Sequence, residues 1–312
     1  MILITGASGY IGSHVTRRLL EQNMPVRALV RSRAKAQAEG RLKGLEIEYV
    51  EGDVNDSPSL DQAMQGVEAV MHLVAIAIEK GRNSYEEVNY QGTVKVVEAA
   101  KRAGVRRFIN MSQLGAKADL PYRFLASKGK AQEYVAASGL DWTAFRPSVV
   151  WGPEDEFANT FARLVPLTLL IFPIVGDENS KFQSVWVGDV ATCFVKALQD
   201  DETTGQEYEL GGPEILTLEE IERRTLKALG SRRLMVRFPM PLLKAAVALM
   251  ETLLPNPPVT RSLLELLAVS NVTQNNALSR FVQEPRPFTV ENIAPYMREF
   301  RVGETLKQFM GR

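Results

Sequence analysis

Three glycines set three positions apart, Gly6, Gly9 and Gly12, stand directly after the β-branched run Ile2-Leu3-Ile4-Thr5 and open a helix-period segment. In that segment Ile11, Val15 and Leu19 share one helical face, while Arg17, Arg18 and Glu21 fall elsewhere. Glycine spacing alone carries little weight; the strand before it and the helix after it give it meaning. Gly6 permits a tight turn, Gly9 admits a phosphate close to the backbone, and Gly12 lets the helix pack tightly on the strand. The helix N-terminus then presents free N–H groups and a partial positive charge to an anion. This combination constrains the chain to a strand–loop–helix built for a dinucleotide, with Gly6, Ser8, Gly9, Tyr10, Ile11 and Gly12 as the expected contacts.

The same alternation continues. Strand-like runs are expected at 26–30, 47–50, 69–73, 108–111 and 143–145, and helices at 11–22, 60–65, 85–103 and 125–137. Alternating strands and helices predict an α/β fold, a Rossmann-type doubly wound parallel sheet. Beyond residue 152 the alternation loosens, with strands at 184–187 and 208–210 and helices at 190–198 and 218–229. The expected division is a dinucleotide-binding core over 1–151, to which about 182–211 return, and a smaller, mixed, mostly helical substrate or docking lobe over 152–312.

Composition narrows the function. The 312 residues carry 37 basic and 37 acidic side chains, so no net field favours nucleic acid. Cys193 is the sole cysteine, which excludes an intrachain disulfide, and two histidines, His14 and His72, are too few for a His-rich metal site. Cys193 and both histidines are expected to be structural, and no metal is expected. The apolar stretch 164–175 contains Pro166 and Pro173 and falls short of the roughly 20 residues a spanning helix needs. With a strand at residues 2–5 and no charged leader before it, the expected location is the cytoplasm, or the periphery of a membrane.

The end of the second strand reads the adenosine ribose: an acid there bonds the 2′-hydroxyl of NAD, whereas arginine accommodates the 2′-phosphate of NADP. Here the residues are Val30-Arg31-Ser32-Arg33, and Arg31 lies 19 positions past Gly12. A guanidinium beside a hydroxyl suits a phosphate dianion, so NADP(H) is expected over NAD(H), which stays open. Asp53 and Val54, after the third strand, and Leu73, Val74 and Ala75, ending the fourth, are expected to contact the same ligand, since ligands of open α/β sheets bind at strand C-termini.

Further motifs run along the chain: Gly52-Asp53-Val54, Val88-Asn89, Ser112, Ser127-Lys128 and Arg146-Pro147. Longer ones span 145–157, 181–191 and 208–213. Together with the glycine loop they resemble the short-chain dehydrogenase/reductase superfamily in its extended or atypical branch. Within it, the chain is similar to the group containing the NAD(P)-binding accessory subunit of respiratory complex I and its free-standing bacterial relatives. The likeness covers nearly the whole chain and is strongest over 1–230. It implies that Lys128 and Pro147 contact the cofactor. It also implies a catalytic Ser and Lys at Ser112 and Lys128, with a Tyr four residues before the Lys acting as general acid or base. That position is Phe124, which carries no proton to transfer. Tyr122 lies two residues away, about 200° around a helix, and serves only if the helix starts after it. Lys130 is a further candidate base, with a solvated lysine as the alternative.

Three functions stay open. One is an NADP(H)-binding protein whose cofactor is structural or sensed, with standard catalysis impaired. Another is an active NADP-dependent oxidoreductase on an unknown small or lipophilic substrate, and the third a nucleotide-sugar epimerase or dehydratase. Whether the chain is an enzyme is therefore undecided by sequence. Residues 239–258 predict a helix with only Lys244 and Glu251 charged, either buried or forming a cleft mouth or docking surface for a protein or membrane through Leu242, Val247 and Leu249.

Overall fold

The computed structural model describes residues 1–312 except 39, 82, 169, 175–179, 256, 258, 268, 298–301, 311 and 312. Strand β1 (Ile2–Thr5) is followed by α1 (Tyr10–Leu20), β2 (Val26–Val30), α2 (Arg33–Ala38), β3 (Glu48–Glu51), α3 (Ser57–Ala63) and β4 (Ala69–His72). A π-helical stretch, Glu86–Gln91, leads into α4 (Gly92–Arg102), then β5 (Arg107–Met111), α5 (Arg123–Ala136) and β6 (Asp141–Pro147). The chain continues through β7 (Val150–Trp151), α6 (Ala158–Leu164), β8 (Ile171–Ile174), β9 (Lys181–Phe182), β10 (Val185–Trp186) and α7 (Val187–Leu198). Next come β11 (Gln206–Leu210), β12 (Leu216–Thr217), α8 (Leu218–Ala228) and β13 (Leu234–Arg237). The remaining helices are α9 (Met240–Leu253), α10 (Arg261–Leu267), α11 (Leu278–Phe281), α12 (Val290–Ile293) and α13 (Val302–Phe309).

Seven strands pair in parallel in the order β3–β2–β1–β4–β5–β6–β11, so the expected doubly wound sheet is present. The order reverses between β1 and β4, the point at which ligands of such sheets bind. Internal contacts divide the chain into Met1–Pro147 with Val187–Leu210 and Asn275–Glu284, and Ser148–Trp186 with Gly211–Gln274 and Pro285–Arg312. The return of 275–284 to the first unit has no sequence signal: it contributes the short helix α11 and a bridge from Asn276 to Glu209 at the sheet edge.

In the first unit Leu3, Val70 and Phe108 of the sheet lie fully buried beneath Val96, Val97 and Ala100 of α4 and Leu60 and Ala63 of α3. Helix α3 starts where Asp56 accepts from the Ser59 N–H, with Pro58 in its first turn. Cys193, on α7, is buried, and its thiol is pushed well above its ordinary range by that burial. The second unit packs Trp151, Phe161, Phe172 and Phe182 against Leu218 and Ile221 of α8, whose N-terminus is closed by a reciprocal Thr217–Glu220 cap.

Two expectations need correction. The helix expected at 125–137 begins at Arg123, and Tyr122 precedes it in an extended conformation. Within 239–258, of which 256 and 258 lie outside the described residues, Leu242, Val247 and Leu249 do not form one outward surface. Val247 is 4% exposed and belongs to the second unit's core, beside Met250, whereas Leu242 and Leu249 are 60% and 58% exposed. At 100° per residue Val247 stands about 140° from Leu242, so packing the Val247 face turns the leucines outward. Among the described residues no helix is long and apolar enough to cross a membrane.

Candidate cofactor-binding site

The glycine loop works as a cradle because its members exclude side chains from one another. Gly6 adopts φ +82°, a left-handed conformation, and a Cβ there would meet the backbone of Leu73 and Val74 at 3.0–3.1 Å. A Cβ on Gly12 would overlap the Gly6 carbonyl oxygen and backbone. The Gly9 N–H donates to the Gly6 carbonyl at 3.0 Å, closing the turn that aims the N-terminus of α1.

Above this loop lies a cavity of about 230 Å³, lined at the glycine loop by Gly6, Ser8 and Gly9 and at the β4 end by Leu73, Val74 and Ala75. Arg31 stands on its wall after β2, and Asp53 and Val54 after β3. Of the other expected cofactor contacts, Tyr10, Ile11, Gly12, Ser32, Lys128 and Pro147 do not line it. Gly12 acts beneath it, through the approach to Gly6. Ser32 Oγ accepts from the Lys35 N–H at 3.4 Å at the start of α2. The Pro147 carbonyl accepts from Leu114 N at 3.0 Å. The Asp53 carboxylate accepts from Asn55 N at 2.9 Å.

Sequence reading missed Leu29, Val30, Asn55, Ile76, Asn83 and Val88 on the cavity wall, which Gly52 of the Gly52-Asp53-Val54 segment also lines. It also gave Asn89 no role. The Asn89 side chain accepts from Ile76 N at 2.8 Å and donates to Ile76 O at 3.2 Å and to Ser127 Oγ at 3.1 Å, fixing the segment after β4. Its sequence signal was the Val88-Asn89 motif, which names no partner. Asn89 sits in the π-helical stretch, and such wide turns often mark functional positions.

The floor at the switch point is a closed polar chain. Thr93 Oγ1 donates its one proton to Asn89 O at 2.7 Å, so His72 Nε2 must donate to Thr93 Oγ1 at 2.9 Å. His72 Nδ1 is thereby an acceptor for Thr5 Oγ1 at 2.6 Å. Burial, helped by the Lys128 charge, pushes the imidazole down to about 3, so it stays neutral. His72 is a bonded core residue, as expected.

Of the expected catalytic residues, Ser112 directly follows β5 and Lys128 lies on α5. Lys128 is 5% exposed, and its Nζ donates to Met111 O at 2.5 Å. Burial lowers its ammonium to about 8. Ser112 is buried, and its Oγ has no hydrogen-bond partner among the described residues. The Phe124 ring packs edge-on against Tyr85, with centroids 5.7 Å apart, and Tyr122 does not line the cavity. Lys130 is exposed and pairs with Glu86 at 3.5 Å, which fits the solvated reading. Among the described residues no group of three or more His, Cys, Asp or Glu is placed to hold a metal ion.

A family model described as NAD(P)H-binding matches residues 6–201. The chain belongs to this NAD(P)H-binding family. This NAD(P)H-binding chain is 30% identical over 251 residues to the mitochondrial NADH dehydrogenase [ubiquinone] 1 alpha subcomplex subunit 9 of Arabidopsis thaliana, covering 78% of the chain and 62% of that subunit. The chain thus spans under two thirds of that relative's length. It is 27% identical over 251 residues to the ceramide reductase of Caulobacter vibrioides, covering 80% of this chain and 77% of the relative. The UDP-glucose 4-epimerase of Thermus thermophilus, solved in complex with NAD, shares the fold: TM-score 0.71, 21% identity, 95% of this chain and 98% of that one covered. The short-chain dehydrogenase/reductase-like fold is therefore established, with the epimerase sharing the fold alone.

Proposed function

We propose that the protein binds NADP(H) in preference to NAD(H) and holds it chiefly as a structural or sensed ligand. The observation that carries the preference is Arg31, exposed on the cavity wall at the end of β2 and without an ion-pair partner among the described residues. The acid across the ladder from Val30 is Glu51, and its carboxylate accepts from the Arg33 N–H at 3.0 Å, at the start of α2. That engagement fits a carboxylate at a helix N-terminus and leaves the ribose-reading position to a cation.

The cradle supports the fit of a dinucleotide: a Cβ at Gly6 or Gly12 would meet backbone, so these glycines hold the tight turn that leads into the N-terminus of α1, where a pyrophosphate would be bound. Gly9 and Ser8 would hold the phosphates, Asp53 the adenine, and Leu73–Ala75 would cover the ribose side. A bound nicotinamide supplies or accepts a hydride. The chain's own part in such a reaction, moving a proton at the substrate oxygen, lacks its usual agent. Phe124 offers no hydroxyl, and Lys128 is turned to Met111 O. The Ser112 hydroxyl has no hydrogen-bond partner among the described residues to orient it.

A second reading, an active reductase on a lipophilic substrate, draws on the relative named ceramide reductase and on Tyr122 standing just outside α5. One experiment separates the two: titrate the purified protein with NADPH and NADH, then follow NADPH oxidation with long-chain ketones. Tight NADPH binding with no oxidation, and oxidation that appears in Phe124→Tyr, supports the first. Turnover in the wild type that is lost in Tyr122→Phe supports the second.

A further inference from the structure

Two residues of the cavity wall, Ile76 and Asn83, come from the connection between β4 and the π-helical stretch. That connection is anchored at both ends. Leu73 N donates to Thr5 O at 3.0 Å, which extends the sheet, and Tyr85 is buried. Between these anchors Lys80 and Asn83 exchange backbone hydrogen bonds of 3.1 Å each way, beside Gly81 at φ +61°. Residues 76–81, 83 and 84 include no buried one, and residue 82 lies outside the described residues. Apolar packing therefore does little to hold these two arms. A segment of that kind opens at low free energy unless polar contacts tie it down.

Three ties do so, all within the first unit. Asn89 bonds both backbone polar groups of Ile76. The Tyr85 hydroxyl donates to the Ala77 carbonyl at 2.8 Å. Glu79 makes the third: one carboxylate oxygen accepts from Tyr85 N at 2.9 Å and from Arg123 Nη2 at 3.0 Å, and the other lies 2.7 Å from Arg123 Nη1. A guanidinium that grips both oxygens of a carboxylate is a directional contact as well as a charged one. Arg123 opens α5, and its guanidinium also stands 6.0 Å from the centre of the Tyr85 ring, against which Phe124 packs. Glu79 thus ties the arms to α5 and to the start of the π-helical stretch at once.

We infer that segments 76–80 and 83–85 form a strap on the wall of the dinucleotide cavity, latched to α5 by Glu79, and that this latch sets how fast a bound dinucleotide leaves. The strap rests on the reading of this cavity as a nicotinamide dinucleotide site, and slow release is what a structural or sensed ligand requires. Glu79 does not line the cavity, so it is a positioning residue that acts through Arg123 and Tyr85. Opening the strap would draw Ile76 and Asn83 from the wall and leave the glycine loop and Arg31 in place. NADPH and NADH should therefore be released alike.

The test is stopped-flow fluorescence of the full chain with NADPH and with NADH, chased by excess oxidised nucleotide to read release and mixed at varied concentration to read association. Glu79→Ala should release both nucleotides about tenfold faster, with association within about twofold of wild type and an unchanged unfolding transition. Arg123→Ala and Tyr85→Phe should each speed release by about three- to fivefold. Glu79→Ala/Arg123→Ala should release no faster than Glu79→Ala, because the two side chains form one contact. Should Glu79→Ala unfold, Arg123→Ala decides, since that side chain is 72% exposed. Release at the wild-type rate in Arg123→Ala and Tyr85→Phe overturns the inference, and so does a loss of affinity that lies wholly in association. Equal affinities for NADPH and NADH would contradict the cofactor preference and leave the strap standing, because release is compared within each nucleotide. Binding of neither nucleotide overturns both.

Discussion

A Cβ on Gly12 would stand inside the van der Waals shell of the Gly6 carbonyl oxygen, so the third glycine of the loop holds α1 against the turn that the first one makes. The obstacle is backbone, which cannot swing aside as a side chain does. Gly12→Ala should therefore cost about 1–3 kcal/mol of stability, in the manner of an overpacked core, and displace the loop that faces the cavity. Urea unfolding and nucleotide titration check this together. A variant with wild-type stability and affinity would show that the loop tolerates the displacement.

Val247 and Leu249 are two residues apart on α9 and should answer a charge oppositely. Val247→Glu places an unpaired carboxylate in the second unit's core and should destabilise by about 3 kcal/mol or more. Leu249→Glu changes an exposed position and should stay within about 0.5 kcal/mol of wild type. Equal effects of the two changes would mean that the packed face of α9 is misassigned.

Lys128 gives a pH signature. Burial lowers its folded-state value from 10.5 to about 8, so between those values the unfolded chain binds more protons than the folded one. Stability should rise with pH across that window, by up to about 3 kcal/mol. Lys128→Met should lose this rise and be more stable than wild type at pH 7. His72 gives the acid counterpart: with its value at about 3 in the fold against 6.5, stability should fall as pH drops below about 6.5. Urea unfolding across pH 4 to 10.5 tests both. Parallel curves for wild type and Lys128→Met above pH 8 would contradict the placement of the ammonium.

The glycine loop, the doubly wound parallel sheet and part of the cavity wall were readable because each rests on a local pattern: β-branched runs, helix-period apolar residues, and glycines between them. Helix α9 was readable as a helix but not in orientation, because its apolar residues run around most of the circumference and two faces compete for the core. The strand pairs β7–β10 and β9–β12 involve two residues each and leave no period to detect. The burial of Lys128 was hidden for another reason. Its partner is a backbone carbonyl, and a sequence does not advertise carbonyls. Asn89 was quoted as part of a motif, yet its work, gripping both polar groups of Ile76, depends on where the chain after β4 folds back.

Arg31 carries the central claim, and the direct measurement is calorimetric titration of wild type and Arg31→Ala with NADPH and NADH at one salt concentration. The account expects wild type to bind NADPH more tightly than NADH. It expects Arg31→Ala to lose about 1.5–3 kcal/mol of NADPH binding, roughly 10- to 100-fold, while NADH affinity stays nearly constant. Equal affinities for the two nucleotides in wild type, or a variant that weakens both alike, would contradict it.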